Sequence, residues 1–334
     1  MGQEKENTKT QKFSYSKINN YKSCGWKYYL TYDQGHFVFT DSLASLLGTL
    51  LHSVEEKIFN TLKAHEVVDY EAMKDYFMNA YVEKKSKYDK DGGIFGLNYL
   101  KEQYKEEFYK MDDKGRSYFS KTLDYMNKGI YRLEQYLTKN PDLEPFEAEK
   151  YFSFEYKNQV ISGYIDRIFY NKKTGQYIVE DIKTKDKPFS GEELETPLQF
   201  VTYVLGLNQI LDIPVENITC VYDLPFLDLK QEAGSIGFMT KGETELKKLL
   251  ADIDKKDFKP KPSPLCYFCP FCKNNPESPE DVRDLCPYYS LWTRENKTKE
   301  VANKWLGMEH HEEVMEKERQ KKEYKVTDLF DFEF

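Results

Sequence analysis

Apolar and polar positions along this chain divide it into a largely helical first part and a mixed second part. From about residue 42 to 138 the pattern is that of helices, with long charged amphipathic stretches such as 98–109 and 120–139. Strand-length runs then cluster at 146–156, 159–170 and 176–184, followed by a helix at 197–211 and a strand at 217–224. A segment through Gly237-Phe238-Met239 is a candidate to pair with that strand, and a helix at 242–253 leads into a cysteine-containing loop. Residues 13–30 begin a helix, and residues 1–12, polar throughout, are expected to be disordered. The pattern predicts an α/β fold: a central mixed β-sheet flanked by helices, with the N-terminal helices and the cysteine region closing against it. The expected domains are a tail at 1–12, a helical region at 13–140, a sheet-bearing core at 141–255, a cysteine-rich region at 256–293, and a charged helix with an acidic-aromatic tail at 294–334.

Two of the strand-like segments carry candidate chemistry. Gly163-Tyr164-Ile165-Asp166 and Val179-Glu180-Asp181-Ile182-Lys183-Thr184 flank a Gly175-Gln176 turn, so they read as a hairpin. Side chains alternate faces along a strand, which puts Asp181 and Lys183 on one side and Glu180 and Ile182 on the other, with Asp166 at the same end. Magnesium prefers carboxylate oxygens, and a neighbouring lysine can orient a water or offset charge on a phosphate. The alternative is an exposed hairpin with an ordinary Asp-Lys pair. In the next helix, Gln199 and Tyr203 stand at i and i+4 on one face. Upstream, His52 lies in the apolar helical stretch 46–56. A lone histidine there is either a core or surface residue or, given the other elements, a ligand suited to manganese and tolerated by magnesium.

The ordered set His52, Gly163-x-x-Asp166, Asp181-x-Lys183-Thr184 and Gln199-x-x-x-Tyr203 resembles the RecB-type branch of the PD-(D/E)xK nuclease superfamily over roughly residues 13–292. The resemblance implies a restriction-endonuclease-like core. It also implies His52, Asp166 and Asp181 as ligands of Mg2+ or Mn2+, Lys183 as the catalytic lysine, and Gln199 and Tyr203 as residues that position the lysine or the DNA backbone.

Six cysteines are present: Cys24, Cys220, Cys266, Cys269, Cys272 and Cys286. No secretory leader is expected from the polar first twelve residues, and no run is long and apolar enough to span a membrane. A reducing, cytoplasmic setting is therefore expected, in which disulfides are disfavoured. Cys266-x-x-Cys269-x-x-Cys272 in a proline-rich loop suits zinc or an iron–sulfur cluster, and spacing alone does not separate them. The chain also resembles the iron–sulfur members of the RecB-type nucleases, the AddB-like proteins and CRISPR-adaptation nucleases. These place one cysteine near the N-terminus and three after the core. Cys24 and the Cys266-Cys269 block match that plan, implying a 4Fe-4S cluster, with Zn2+ as the alternative. The family's spacing is not kept at the fourth position, where Cys286 is preferred and Cys272 is the reserve. Cys220, in the apolar run 218–222, reads as a buried structural thiol.

Composition bears on the substrate. The 334 residues can bury a proper core in one large or two modest domains. The net charge of −8 does not advertise DNA binding, although a local groove matters more than the total. Lys185 and Lys187, beside Asp181 and Lys183, are candidate phosphate contacts, and the 27 tyrosines include candidates for stacking on unpaired bases. The ending Asp328–Phe334 alternates acids with phenylalanines, which fits either a partner-docking peptide or a strap on the body. Together these readings predict a Mg2+- or Mn2+-dependent DNA nuclease, an exonuclease acting on single strands or DNA ends in a bacterial or phage-infected cell. The competing expectation is a non-catalytic DNA-binding or scaffold subunit of a helicase-nuclease or adaptation complex.

Overall fold

A computed structural model describes residues 11–38, 43–90, 118–275 and 278–289. In chain order its regular elements are β1 (Lys12–Phe13), α1 (Tyr15–Ser23), α2 (Gly25–Tyr28), α3 (Leu43–Lys63), α4 (Tyr70–Lys90), α5 (Tyr118–Asp124) and α6 (Arg132–Lys139). There follow β2 (Leu143–Tyr156), β3 (Gln159–Asn171), β4 (Tyr177–Ile182), α7 (Glu192–Glu195), α8 (Leu198–Leu211), β5 (Ile218–Leu224), β6 (Leu229–Ala233) and α9 (Phe238–Asp254). The mixed sheet and its helices are those the sequence predicts. The stretch at 98–109 and the tail at 328–334 lie outside the described residues.

The chain separates into two units, each drawing on distant parts of the sequence: Met1–Ser16 with Phe39–Lys248, and Lys17–Val38 with Leu249–Phe334. The first holds the sheet, ordered β1-β3-β4-β5-β6, with β2 on the other edge of β3. The hairpin from β3 to β4 turns through Gly175 at φ 75°, a left-handed conformation that glycine adopts at little cost. β4 runs parallel to β5, and β5 antiparallel to β6. Elements at both ends of the sheet differ from expectation: Lys12, in the tail expected to be disordered, forms with Phe13 the strand β1, paired with Val160 and Ile161 of β3. The strand that pairs with β5 is the polar Leu229–Ala233, whereas Phe238 and Met239 open α9. Cross-strand hydrogen bonds make β6, and its composition gives little sign of them.

Leucines, Val54, Ile58 and Phe59 recur along α3 at three- and four-residue intervals, building a stripe that faces Phe77, Tyr125, Met126, Ile130 and Leu133 together with Phe169 and Ile182 of the sheet. α8 approaches the β2–β3 ribbon at Phe152. An added Cβ would come within 2.8 Å of that ring at Gly206 and 3.0 Å at Gly163. Both glycines therefore make room for one phenylalanine.

Within the second unit, Trp26 meets Tyr288 edge-on at 5.1 Å and Tyr28 stacks on Phe258. The Tyr21 hydroxyl donates to the Asp257 carbonyl at 2.6 Å. Gly25 lies so close to the backbone of Lys259 that a Cβ would sit 2.8 Å from its carbonyl oxygen.

Candidate active site

Arg167 of β3 pairs with Glu180 of β4. One antiparallel step further, Asp166 stands opposite Asp181 where the ladder opens, and the Asp166 carboxylate accepts a hydrogen bond from the Ile182 amide at 2.6 Å. Asp166 and Asp181 therefore share one face and Arg167 and Glu180 the other. Lys183 Nζ lies 2.6 Å from Asp181 Oδ2. Gln199 donates to the Tyr203 hydroxyl at 2.6 Å, and that hydroxyl donates to Asp181 Oδ1 at 3.2 Å. The i, i+4 pair on α8 thus becomes a two-link relay ending on the Asp181 carboxylate.

His52, on α3, completes the site from the helical side. Its Nε2 lies 3.1 Å from the Ile182 carbonyl, which can only accept, so Nε2 carries the proton. Nδ1 is left as a lone pair 3.8 Å from Asp166 Oδ2. A ring N–H held by a carbonyl, with the other nitrogen turned to a carboxylate, is how ligating histidines are oriented. Burial lowers the His52 pKa and favours the neutral ring.

The sequence reading missed Glu149. With His52 and Asp166 it forms a group whose ligand atoms all lie within 4.8 Å of one another. The β2–β3 register, Ala148 to Arg167 and Lys150 to Ile165, places Glu149 directly across from Asp166. Its φ of 46° marks a local distortion. Burial, then Asp166 and Glu56, push its carboxyl up to about 7. Burial likewise raises Asp181 to about 6 against the opposing pull of Lys183, and it raises Asp166. Burial works to lower Lys183, but Asp181 and Asp166 prevail and hold it protonated. Three carboxylates crowded beside one lysine form a site short of positive charge, which a divalent cation would supply.

Lys185 reaches over the Phe189 ring, 3.5 Å from its centroid, and lies 3.5 Å from Glu193, while Lys187 is exposed. On the reverse face Arg167 lies 2.7 Å from Glu55 and 2.9 Å from Glu180, and it also pairs with Asp223. Lys230 pairs with Glu180 and Asp223, and Arg132 with Asp223 and Asp228. Arg167 and Glu180, at the centre of this network, directly adjoin Asp166 and Asp181 in sequence.

In the other unit, Cys24, Cys266, Cys269, Cys272 and Cys286 line one cavity of about 270 Å³. The amides of Lys261 and Ser263 donate to the sulfurs of Cys24 and Cys266, each at 3.4 Å. Burial raises the Cys269 thiol to about 12, and burial followed by Cys269, Cys24 and Cys266 raises that of Cys286. Burial, with a smaller contribution from Cys266, raises the Cys272 thiol to about 11. Among the described residues no three cysteine sulfurs come within 4.8 Å of one another. Tetrahedral zinc with bonds of about 2.3 Å would hold its sulfurs about 3.8 Å apart. Cys220 is buried in β5, within the unit that holds the sheet.

A family profile described as the PD-(D/E)XK nuclease superfamily matches residues 12–273. Among solved structures, a candidate exonuclease from Eubacterium rectale is similar at 14% identity and a TM-score of 0.41, over 80% of this chain and 92% of that one. A second, SSO0001, is similar at 18% identity and a TM-score of 0.23, over 50% of this chain and 75% of that one. No curated protein matches.

Proposed function

This chain belongs to the PD-(D/E)XK nuclease superfamily, and from that premise we propose that it is a Mg2+- or Mn2+-dependent DNA nuclease, an exonuclease acting on single strands or ends. The observation that carries the reading is the convergence of His52, Glu149 and Asp166 beside the Asp181–Lys183 pair. His52, Glu149, Asp166 and Asp181 would hold the cation, and a bound cation supplies water activation and charge neutralisation at the scissile phosphate. Protonated Lys183 orients the attacking water and offsets charge on the phosphate. Gln199 and Tyr203 fix the rotamer of Asp181, and Lys185 and Lys187 contact the backbone of the bound strand. Among the described residues no helix is long and apolar enough to cross a membrane.

Glu149 provides a test that needs no turnover. Glu149→Gln keeps the shape and removes the charge, so Mn2+ affinity measured by calorimetry without DNA should fall by at least about tenfold. Unchanged affinity would remove Glu149 from the metal site.

The cysteine cavity is read as a structural 4Fe-4S site ligated by Cys24, Cys266, Cys269 and Cys286. What supports the reading is that these four cysteines, together with Cys272, line a single cavity. Anaerobically purified protein should be brown and carry about four irons per chain. Cys286→Ala should lose the iron and Cys272→Ala should keep it; stoichiometric zinc without iron would reverse the assignment. Asp328–Phe334 remains a proposed docking segment on its sequence alone.

A further inference from the structure

We propose that Tyr151 and Tyr164 form a stacking platform for unpaired bases, with Lys12 as its cation, leading a single DNA strand into the acidic site. The proposal rests on the nuclease reading and adds the substrate subsite.

β2 and β3 keep an unbroken register from Glu147–Ile168 to Tyr156–Gln159. Tyr151 and Tyr164 lie two residues along β2 and β3 from Glu149 and Asp166, on the ribbon face opposite Phe152 and Gly163, which pack toward α8. The tyrosine pair is one pleat repeat, about 7 Å, from the acid pair. The two tyrosines are cross-strand partners with ring centroids 5.2 Å apart, and they are 44% and 58% exposed. Lys12 of β1 donates to the Tyr151 hydroxyl at 3.0 Å, and its ammonium lies 5.5 Å from that ring's centre.

A strand whose phosphate lies at the acids therefore meets two aromatic faces and then a cation and two hydroxyls. Every base has a π-face, so such a platform binds without sequence preference, but it requires the base to be unpaired. Duplex ends would have to fray to use it.

The test measures binding without cleavage, by anisotropy and by 2-aminopurine fluorescence of a labelled oligodeoxynucleotide in EDTA, with a blunt duplex for comparison. Tyr151→Ala and Tyr164→Ala should each weaken single-strand binding roughly tenfold and reduce the fluorescence change. Tyr151→Phe and Tyr164→Phe should bind as wild type does, and duplex affinity and Mn2+ affinity should stay constant in all four variants. The platform is overturned if the alanine variants bind the single strand normally, if single-strand and duplex binding fall together, or if wild-type protein does not bind the single strand. A wild-type protein that shows the stacking signal yet never cuts with Mg2+ or Mn2+ would refute the nuclease reading while leaving the platform standing.

Discussion

Asp181→Ala and Lys183→Ala should each lower the rate of DNA cleavage by about 10²–10³-fold or more, with the fold and the affinity for single-stranded DNA retained. Asp181 is 1% exposed and lies between the Lys183 ammonium and the Tyr203 hydroxyl. Removing the carboxylate therefore dismantles the relay from α8 as well as one acidic face of the site. Removing the ammonium leaves the crowded acids without their nearby cation. The matched control is Glu180→Gln rather than Glu180→Ala, because Glu180 is fully buried against Arg167 and Lys230 and its truncation would damage the fold. The comparison is made on variants shown by circular dichroism to be folded. An inactive Glu180→Gln beside an active Asp181→Ala would shift the functional face by one residue.

The largest expected loss of stability is at Arg167. Arg167 is 1% exposed, and its guanidinium holds Glu55, Glu180 and Asp223. Burial tends to raise the Asp223 carboxyl, but Lys230, Arg167 and Arg132 hold it well below the ordinary carboxylate range. Arg167→Leu would leave buried carboxylates without their main counter-charge, at a cost of about 3–5 kcal/mol in urea unfolding. Arg167→Lys keeps the charge but loses the fork of donors, and should fall between. A loss below about 1 kcal/mol for Arg167→Leu would mean that the network is hydrated and screened like a surface pair.

Much of the site was legible because it is local. Alternation within 179–184 separates Asp181 and Lys183 from Glu180, Gly175 marks the turn that returns the strand to Asp166, and one helical turn joins Gln199 to Tyr203. Glu149 was not legible because its role comes from cross-strand register. In sequence it is one acid among Glu144, Glu147 and Glu155, and only the pairing of β2 with β3 sets it against Asp166. The Arg167 network was missed for a related reason, since its partners come from α3, β4, β5 and β6. The same non-locality hides the second unit, which joins residues 17–38 to the segment from 249 onward. The resemblance of Cys24 and the Cys266–Cys269 block to the iron–sulfur RecB-type nucleases implied this joining of distant segments, and the choice between Cys272 and Cys286 is one that spacing does not make.

The most direct test of the central claim is digestion of 5′- and 3′-labelled single- and double-stranded DNA by anaerobically purified protein, with Mg2+, with Mn2+ and with EDTA. The account predicts cleavage with either metal, faster on single strands than on duplex, stopped by EDTA and restored by added metal. DNA that is bound but left intact with both metals, by protein whose cysteine site is loaded, would contradict it and identify the chain as a non-catalytic binding subunit.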